Sequence, residues 1–436
     1  MTLAIMDYLD ENWVMPTALI LFILTYICLL FFSKKRAYVA LGSALIFLIL
    51  GYLPFTEIPG AIDWNVIMMI AGTMGIVSLF IESKMPALIA DKIIDRASDM
   101  RMAILALSLF SGLISAFIDN VATVLMIAPI AITIAKKLKV SPVPSIIAIA
   151  IASNLEGAAT LVGDTTSILL GGYLDMTFFD FFFYHGKIGL FFIVQAGLLA
   201  ATGVLWFVFR HRRESVEIEE KTTVTDYFPT YLMLAIIVCL IIASFIPNTP
   251  RTINGLICMA LLVIGLIYRL FQTKSIQSWK TTLGEIDYKT LFLLGGLFLI
   301  IRSITNAGVI DAMAQALAHI SGGNVFIIYT ILVFASVLLS AFIDNIPYVA
   351  TMLTVVAGLQ ATLGLHDPTV LYFGLLVGAT LGGNLTPIGA SANITAIAIL
   401  QREGHDVKPW TFMKIGIPYT LAAVMTGYVL VWLIYT

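Results

Sequence analysis

Two aspartates stand inside stretches that are otherwise apolar. Asp119 and Asp344 each sit mid-stretch with apolar residues on both sides, each is followed by asparagine, and each belongs to the same six letters, Ser115–Asn120 and Ser340–Asn345 (SAFIDN). A carboxylate at the centre of a membrane helix costs roughly 3 kcal/mol on insertion scales, so one found there marks a functional position by default. A turn at that depth exposes backbone groups and is tolerated where it lines a cavity or an ion site. An Asp-Asn tip offers carboxylate and amide oxygens, the donor set of Na⁺ and other hard cations. Asn120 and Asn345 are therefore candidate sodium ligands, with bound sodium ions the one cofactor in view. The carboxylates are alternative proton carriers. Thr123, on the segment that returns from the first tip, joins the candidates. Each aspartate is also placed to cap the helix that follows it, by accepting from the free N–H groups at that end. Capping and ion binding do not exclude each other.

Two further segments break an apolar run with polar residues. Ser153–Ser167 (SNLEGAATLVGDTTS) puts two acids and several hydroxyls into one span, and Gly378–Asn393 matches it with glycines, amides and hydroxyls but no acid. Glycines let a helix unwind, freed carbonyls bind cations, and half-helix N-termini attract anions. Packing of small residues explains the glycines and alanines; it does not explain Glu156 and Asp164. The first segment supplies Asn154, Glu156, Thr160, Gly163, Asp164 and Ser167 as candidates, and the second supplies Asn384, Thr386, Gly389, Ser391 and Asn393. The halves are asymmetric: Asp119, Glu156 and Asp164 in the first, Asp344 alone in the second. No lysine or arginine is expected near the midplane to pair with them. Carboxylates in that setting suit proton uptake and release, alone or in alternation with a metal cation. Arg302 reads as an anchor that snorkels to the external surface.

The elements that must carry these residues follow from composition. The 436 residues are 60% hydrophobic and 11% charged, with mean hydropathy +1.00, more apolar surface than a water-soluble fold of this length hides. Runs of about 20 apolar residues, enough to cross the hydrocarbon core, recur throughout. Helices are expected at about 15–33, 37–54, 64–82, 188–209, 229–246, 253–271, 288–304 and 412–435. The stretches 102–135 and 324–363 are expected to be hairpins, and 145–170 and 369–400 interrupted helices. Pro86–Met100 reads as an amphipathic surface helix, and Phe178–Tyr184 as an interfacial aromatic belt. The net charge of −2 gives no field for nucleic acid. Cys28, Cys239 and Cys258 lie apart in apolar runs and read as packing residues; the five histidines show no metal-ligand spacing. No nucleophile–base pair or nucleotide motif points to an enzyme. Asp7, Asp10 and Glu11 make the N-terminal stretch acidic where a cleavable signal would be basic.

The segments repeat in order. SAFIDN recurs at an offset of 225, Gly157–Ile168 aligns with Gly383–Ile394, and Ile62-Asp63-Trp64 answers Ile286-Asp287-Tyr288. The expected fold is therefore an all-α polytopic membrane protein of two repeats, 1–210 and 229–436, joined by a linker at 211–228. Each repeat holds about five transmembrane helices, one re-entrant hairpin and one interrupted helix. An odd number of crossings per copy inverts one copy against the other, as in secondary transporters. With this topology all of the 24 lysines and arginines except Lys187, Arg251 and Arg302 fall on one side. That side is then cytoplasmic, with the linker cytoplasmic and both termini external in the cell membrane.

These motifs resemble the ion transporter superfamily: arsenite permeases, D-type sodium/proton antiporters, the melanosomal P protein with its citrate-transporter-like domain and, more distantly, divalent-anion/sodium symporters. The resemblance spans about residues 15–435 and is closest to the P-protein-like branch, through Ser115–Pro129 (SAFIDNVATVLMIAP), Ser340–Met352 (SAFIDNIPYVATM), Gly157–Asp164 and Gly382–Asn393 (GGNLTPIGASAN). It implies a moving transport region and a scaffold region that often dimerises, which makes a homodimer a candidate state. In the symporters a Ser-Asn-Thr turn at each tip holds sodium and substrate. Here the turns are Asp119-Asn120-Val121 and Asp344-Asn345-Ile346, so the asparagines carry over as ligands and the added charge favours cation or proton chemistry over a dicarboxylate. The P-like branch continues Gly-Asp-Pro-Pro-Asn where this chain has Gly163-Asp164-Thr165-Thr166-Ser167. The expected function is a secondary active ion transporter of the cation/proton type. The alternative is a permease for a small anion or oxyanion, such as arsenite or a carboxylate, in which the acids serve the coupling ion. A channel is a third class, distinguished by its lack of countertransport.

Overall fold

A computed structural model describes residues 11–212, 214, 222–224, 226–275 and 277–436; Asp7, Asp10 and half of the linker lie outside the described residues. The first repeat contains α1 (Glu11–Phe31), α2 (Arg36–Ile49), the single turn α3 (Ile58–Ala61), α4 (Trp64–Glu82), α5 (Met85–Ile94), α6 (Met100–Ser115), α7 (Asn120–Lys137), α8 (Val143–Glu156), α9 (Thr165–Tyr173) and α10 (Leu190–Val208). The second contains α11 (Phe228–Ser244), α12 (Ile253–Thr273), α13 (Gln277–Gly284), α14 (Tyr288–Asn306), α15 (Val309–Ile320), α16 (Val325–Ser340), α17 (Asn345–Leu363), α18 (Thr369–Gly382), α19 (Ser391–Arg402) and α20 (Pro409–Tyr435). Eight of these helices are long and apolar enough to cross a membrane, and five more are shorter and apolar. The chain is an all-α polytopic membrane protein.

Local chemistry sets the element ends. Asp63 and Asp287, the matched aspartates before α4 and α14, both cap: Asp63 accepts from Val66 N–H at 3.1 Å, and Asp287 from Lys289 N–H at 3.1 Å. Asp99 caps α6 through Met102 N–H at 2.8 Å. Helix α2 stops at Ile49 rather than continuing to 54, because the chain turns through Gly51 at φ +87°, a conformation that favours glycine. The surface helix at Pro86–Met100 is α5, which ends at Ile94 before the Asp99 cap. Besides the single turn α3, two helices were not expected from sequence. One is the polar α13; the other is α15, which meets α16 at a 115° bend and precedes its hairpin as α5 precedes the first. Part of the aromatic stretch folds as a short antiparallel ribbon, β1 (Phe183–Tyr184) against β2 (Lys187–Ile188).

Packing divides the helices into two groups. One is built on the α2–α14 and α4–α12 contacts, with α1 on α2 and α11 on α12. The other is built on α6–α8, α16–α18 and α10–α20, with α18 on α20. Glycines let some of these pairs close: a Cβ at Gly72 would meet the Cys258 backbone at 2.6 Å, and one at Gly296 the Ala40 backbone at 2.8 Å. Repeat-related helices take matching partners, so that α7 packs on α19 and α17 on α9. The hairpins thus reach across to the interrupted helix of the other half.

Candidate functional site

Both hairpins break at the Asp-Asn tips. Asp119 caps α7 through Oδ1, which accepts from Val121 and Ala122 N–H at 3.0 and 3.1 Å. Asp344 caps α17 through Oδ1, which accepts from Ile346 N–H at 3.1 Å. The capping expected for the aspartates is present at both, and it leaves Oδ2 of each for other work.

The interrupted helices dock on the tips through matched contacts. The Thr160 hydroxyl donates to Ala116 O, and that of Thr386 to Ala341 O. A Cβ at Gly163 would meet the carbonyl oxygens of Ala116 and Ser115 at 2.9 and 3.1 Å; at Gly389 it would meet those of Ser340 and Ala341 at 2.7 and 2.9 Å. Ser167 Oγ donates to Gly157 O at 2.9 Å, and its counterpart Asn393 donates Nδ2 to Gly383 O at 3.1 Å. These residues hold the unwound segments in place.

A ladder of buried amides joins the halves. Asn120 Nδ2 donates to Asn154 Oδ1 at 3.1 Å; Asn154 Nδ2 donates to Thr380 O at 2.8 Å and to Asn384 Oδ1 at 3.1 Å. Asn384 Nδ2 returns to Ile151 O at 2.8 Å. Asn345 Oδ1 accepts from Ser340 Oγ. Asn393 Oδ1 is buried without a partner.

Asp119, Asn120, Asn154, Asp164, Asp344, Asn345 and Ser391 meet in one cavity of about 480 Å³. Glu82, Glu285 and Asp287 also line it, at the C-terminal end of α4 and the N-terminal end of α14. Asp164 caps α9, accepting from Thr165 N–H at 2.8 Å and from Thr166 Oγ1 at 3.1 Å. Its counterpart in the alignment, Ala390, leaves α19 without a side-chain cap. Thr123, Thr160, Gly163, Ser167, Asn384, Thr386, Gly389 and Asn393 stand behind this lining. Glu156 is also set apart: it is fully buried, Oε2 accepts from Gln195 Nε2 on α10, and Oε1 has no partner.

One expectation fails. The Arg36 guanidinium forms an ion pair with Asp344 Oδ2, so a basic residue does reach the second tip. Beside Lys34 and Lys35 it reads as part of a surface anchor, and nothing local distinguishes it. Among the described residues no lysine or arginine pairs with Asp119 or Asp164. Arg302 lies 3.6 Å from Glu57 in an exposed pair, consistent with an anchor. The acids at the cavity mouth were also missed, although Asp287 belongs to a repeat match.

A second cavity, also of about 480 Å³, is lined by Phe298, Ile301, Arg302 and Thr305 of α14, by α17 and by Asp63. These α14 positions correspond, 224 residues on, to Met74, Val77, Ser78 and Ile81 of the first cavity. The two cavities lie at opposite ends of α4 and α14, and only the first reaches the tips. Broken helices, paired tips and a polar cavity between repeat-related helices define a multi-pass membrane transporter. The family model for citrate transporters, CitMHS, matches residues 19–378, and the chain belongs to that family. An uncharacterized transporter of Mycobacterium tuberculosis is 31% identical over 430 residues, covering 96% of this chain and 98% of the relative. The human P protein is 24% identical over 454 residues, covering 85% of this chain and 54% of its own length. Among solved structures, the fold is similar to the YdaH transporter of Alcanivorax borkumensis (TM-score 0.59, 15% identity, 86% of this chain and 87% of that one). It is also similar to MtrF of Neisseria gonorrhoeae, described as illuminating a class of antimetabolite efflux pumps (TM-score 0.55, 13% identity, 93% and 83% covered).

Proposed function

We propose that this transporter exchanges a metal cation, of the sodium type, for protons by alternating access. The observation that carries the reading is the charge of the cavity. Asp119 and Asp164 face it with no basic partner among the described residues, while Asp344 alone of the three inner acids is paired. An anion entering here meets uncompensated carboxylates, whereas a cation or proton neutralises them. Asp119, Asn120 and Asp164 form one half-site, with Asn120 a sodium ligand. Asp344 and Asn345 form the other, backed by Asn384 and Asn393. The repeat-related cavity at the far end of α4 and α14 is the natural second route of access. Under the positive-inside rule the open cavity faces the cytoplasm, and both termini are external.

A second reading has one observation in its favour. The N-terminus of α19 is uncapped, and Ala390 and Ser391 line the cavity where the first repeat has Asp164 and Thr165. Free N–H groups at a helix start attract carboxylate or oxyanion groups. An anion permease would seat its substrate there and use the acids for the coupling ion.

Proteoliposomes holding a trapped pH dye, under imposed Na⁺, K⁺ or Li⁺ gradients, separate the two. Proton movement driven by a cation alone, and lost in Asp119→Asn, is the expected result. Silence with each cation, followed by a signal on adding arsenite or a carboxylate, refutes the exchange reading in favour of the permease.

A further inference from the structure

We propose that Arg36 is a tethered competitor for the transported cation: its guanidinium occupies the second half-site at Asp344 and must leave before a cation can fill it. The inference rests on the cation reading above and adds a specificity-determining residue to it. The two tips share the letters SAFIDN and a cap through the aspartate Oδ1, yet they differ in the partner of the other carboxylate oxygen. Oδ1 of each aspartate caps its helix. Oδ2 of Asp344 holds Arg36, whereas no basic residue among those described pairs with Asp119. A charge-assisted contact to a carboxylate oxygen is what a bound cation would make, so the guanidinium stands in the cation's place.

The position of Arg36 gives the contact a consequence. It begins α2, in the helix group built on α2–α14 and α4–α12, while Asp344 is the tip of a hairpin in the other group. The ion pair therefore ties the two groups together. Tyr26 of α1 adds a second tie to the same hairpin, donating to Pro347 O at 2.6 Å and contacting Thr351 Oγ1 at 2.5 Å. The Arg36 and Asp344 side chains are only 18% and 14% exposed. Stripping one partner from so covered a pair leaves an uncompensated charge. A cation arriving at Asp344 supplies the missing charge, and the long Arg36 side chain can swing toward the surface beside Lys34 and Lys35. Binding at the second half-site and release of the hairpin from α2 are then one event. A cation at Asp119 and Asp164 alone leaves the tie intact.

The test is equilibrium binding of radiolabelled Na⁺ to the purified full-length protein in lipid nanodiscs. Arg36→Gln is expected to bind about tenfold more tightly than the native protein, the factor that about 1.4 kcal/mol gives. Arg36→Lys keeps the competing charge and is expected to stay near native affinity. Adding Asp344→Asn to Arg36→Gln should erase the gain. A parallel transport measurement covers partial misfolding, because KM does not depend on the active fraction: Arg36→Gln lowers KM for Na⁺ presented to the open cavity. Unchanged or weaker binding with unchanged KM in Arg36→Gln overturns the inference, as does a gain that survives Asp344→Asn. If the native protein binds no Na⁺, K⁺ or Li⁺, the cation reading falls and takes this inference with it.

Discussion

The docking of each unwound segment on its hairpin tip can be tested with a single methyl group. A Cβ added at Gly163 would lie 2.8 Å from Gly157 O, 2.9 Å from Ala116 O and 3.1 Å from Ser115 O. A comfortable carbon–oxygen contact is about 3.3–3.6 Å, so the two nearest oxygens are roughly half an ångström too close. All three belong to the backbone, and none can rotate aside. Overpacking of this kind costs about 1–3 kcal/mol, and an obstacle made of main chain puts Gly163→Ala toward the upper end. The strain is relieved by moving the tip away from the segment that carries Asp164, so transport should fall with stability. At Gly389 the corresponding oxygens of Gly383, Ser340 and Ala341 lie at 2.5, 2.7 and 2.9 Å, tighter for the first two and equal for the third. Gly203, inside α10, has nothing within 4 Å of its Cβ position. There alanine should gain about 0.5–1 kcal/mol from helix propensity. Melting of the three purified variants in detergent should rank Gly203→Ala highest, then Gly163→Ala, then Gly389→Ala. If Gly163→Ala melts no lower than Gly203→Ala and transports normally, the close approach of segment and tip is refuted.

Two further outcomes follow from the same geometry. Gln195→Leu strips Glu156 of its one hydrogen-bond partner and should cost about 1–3 kcal/mol, while adding Glu156→Met should recover most of the loss, because a buried polar group without a partner is costlier than its removal. Melting of the single and double variants checks this, and a double variant less stable than the single sinks it. Asp367, in the loop before α18, is pushed up by burial, but hydrogen bonds from Thr369 and the charges of His185 and Lys187 outweigh that and hold its carboxyl below its ordinary value. A carboxylate lowered on folding adds stability that is present above its unfolded value and lost as pH falls through its folded one. Native protein should therefore melt above Asp367→Asn at pH 7, and the gap should close as the pH drops below about 4; a gap independent of pH refutes the assignment.

The sequence carried most of the architecture because membrane helices announce themselves by length and apolarity. The breaks at Asp119-Asn120, Asp344-Asn345, Ser153–Ser167 and Gly378–Asn393 were legible for the converse reason, since polar residues at that depth need a structural excuse. The polar α13 and the short α15 carried no such run and were missed. Asp119, Asn120, Asn154, Asp164, Asp344, Asn345 and Ser391 line one cavity and the other candidates do not, a division that could not be read from spacing. Thr160 and Thr386 stand among the glycines of the interrupted segments, yet their hydroxyls are spent on the Ala116 and Ala341 carbonyls. Glu156 is close to Asp164 along the chain and faces Gln195 on another helix. Which way a side chain faces at an unwound segment depends on backbone angles that no helical or strand period sets.

Arg36 shows a different limit. It meets Asp344 across 308 positions of chain, and its neighbours Lys34 and Lys35 give a sufficient account of it as an anchor. Six identical residues, SAFIDN, make two tips that are equal in sequence and capped alike, but a duplicated motif has two environments. Both tips line the cavity that holds Asp164, but Asp119 has no basic partner among the described residues, whereas Asp344 is paired with Arg36 from the other half of the chain. This asymmetry comes from the helices around the tips rather than from the six shared letters. The residues that distinguish the two tips therefore lie outside SAFIDN itself, in Asp164 against Ala390 on the interrupted helices and in Arg36 at the start of α2.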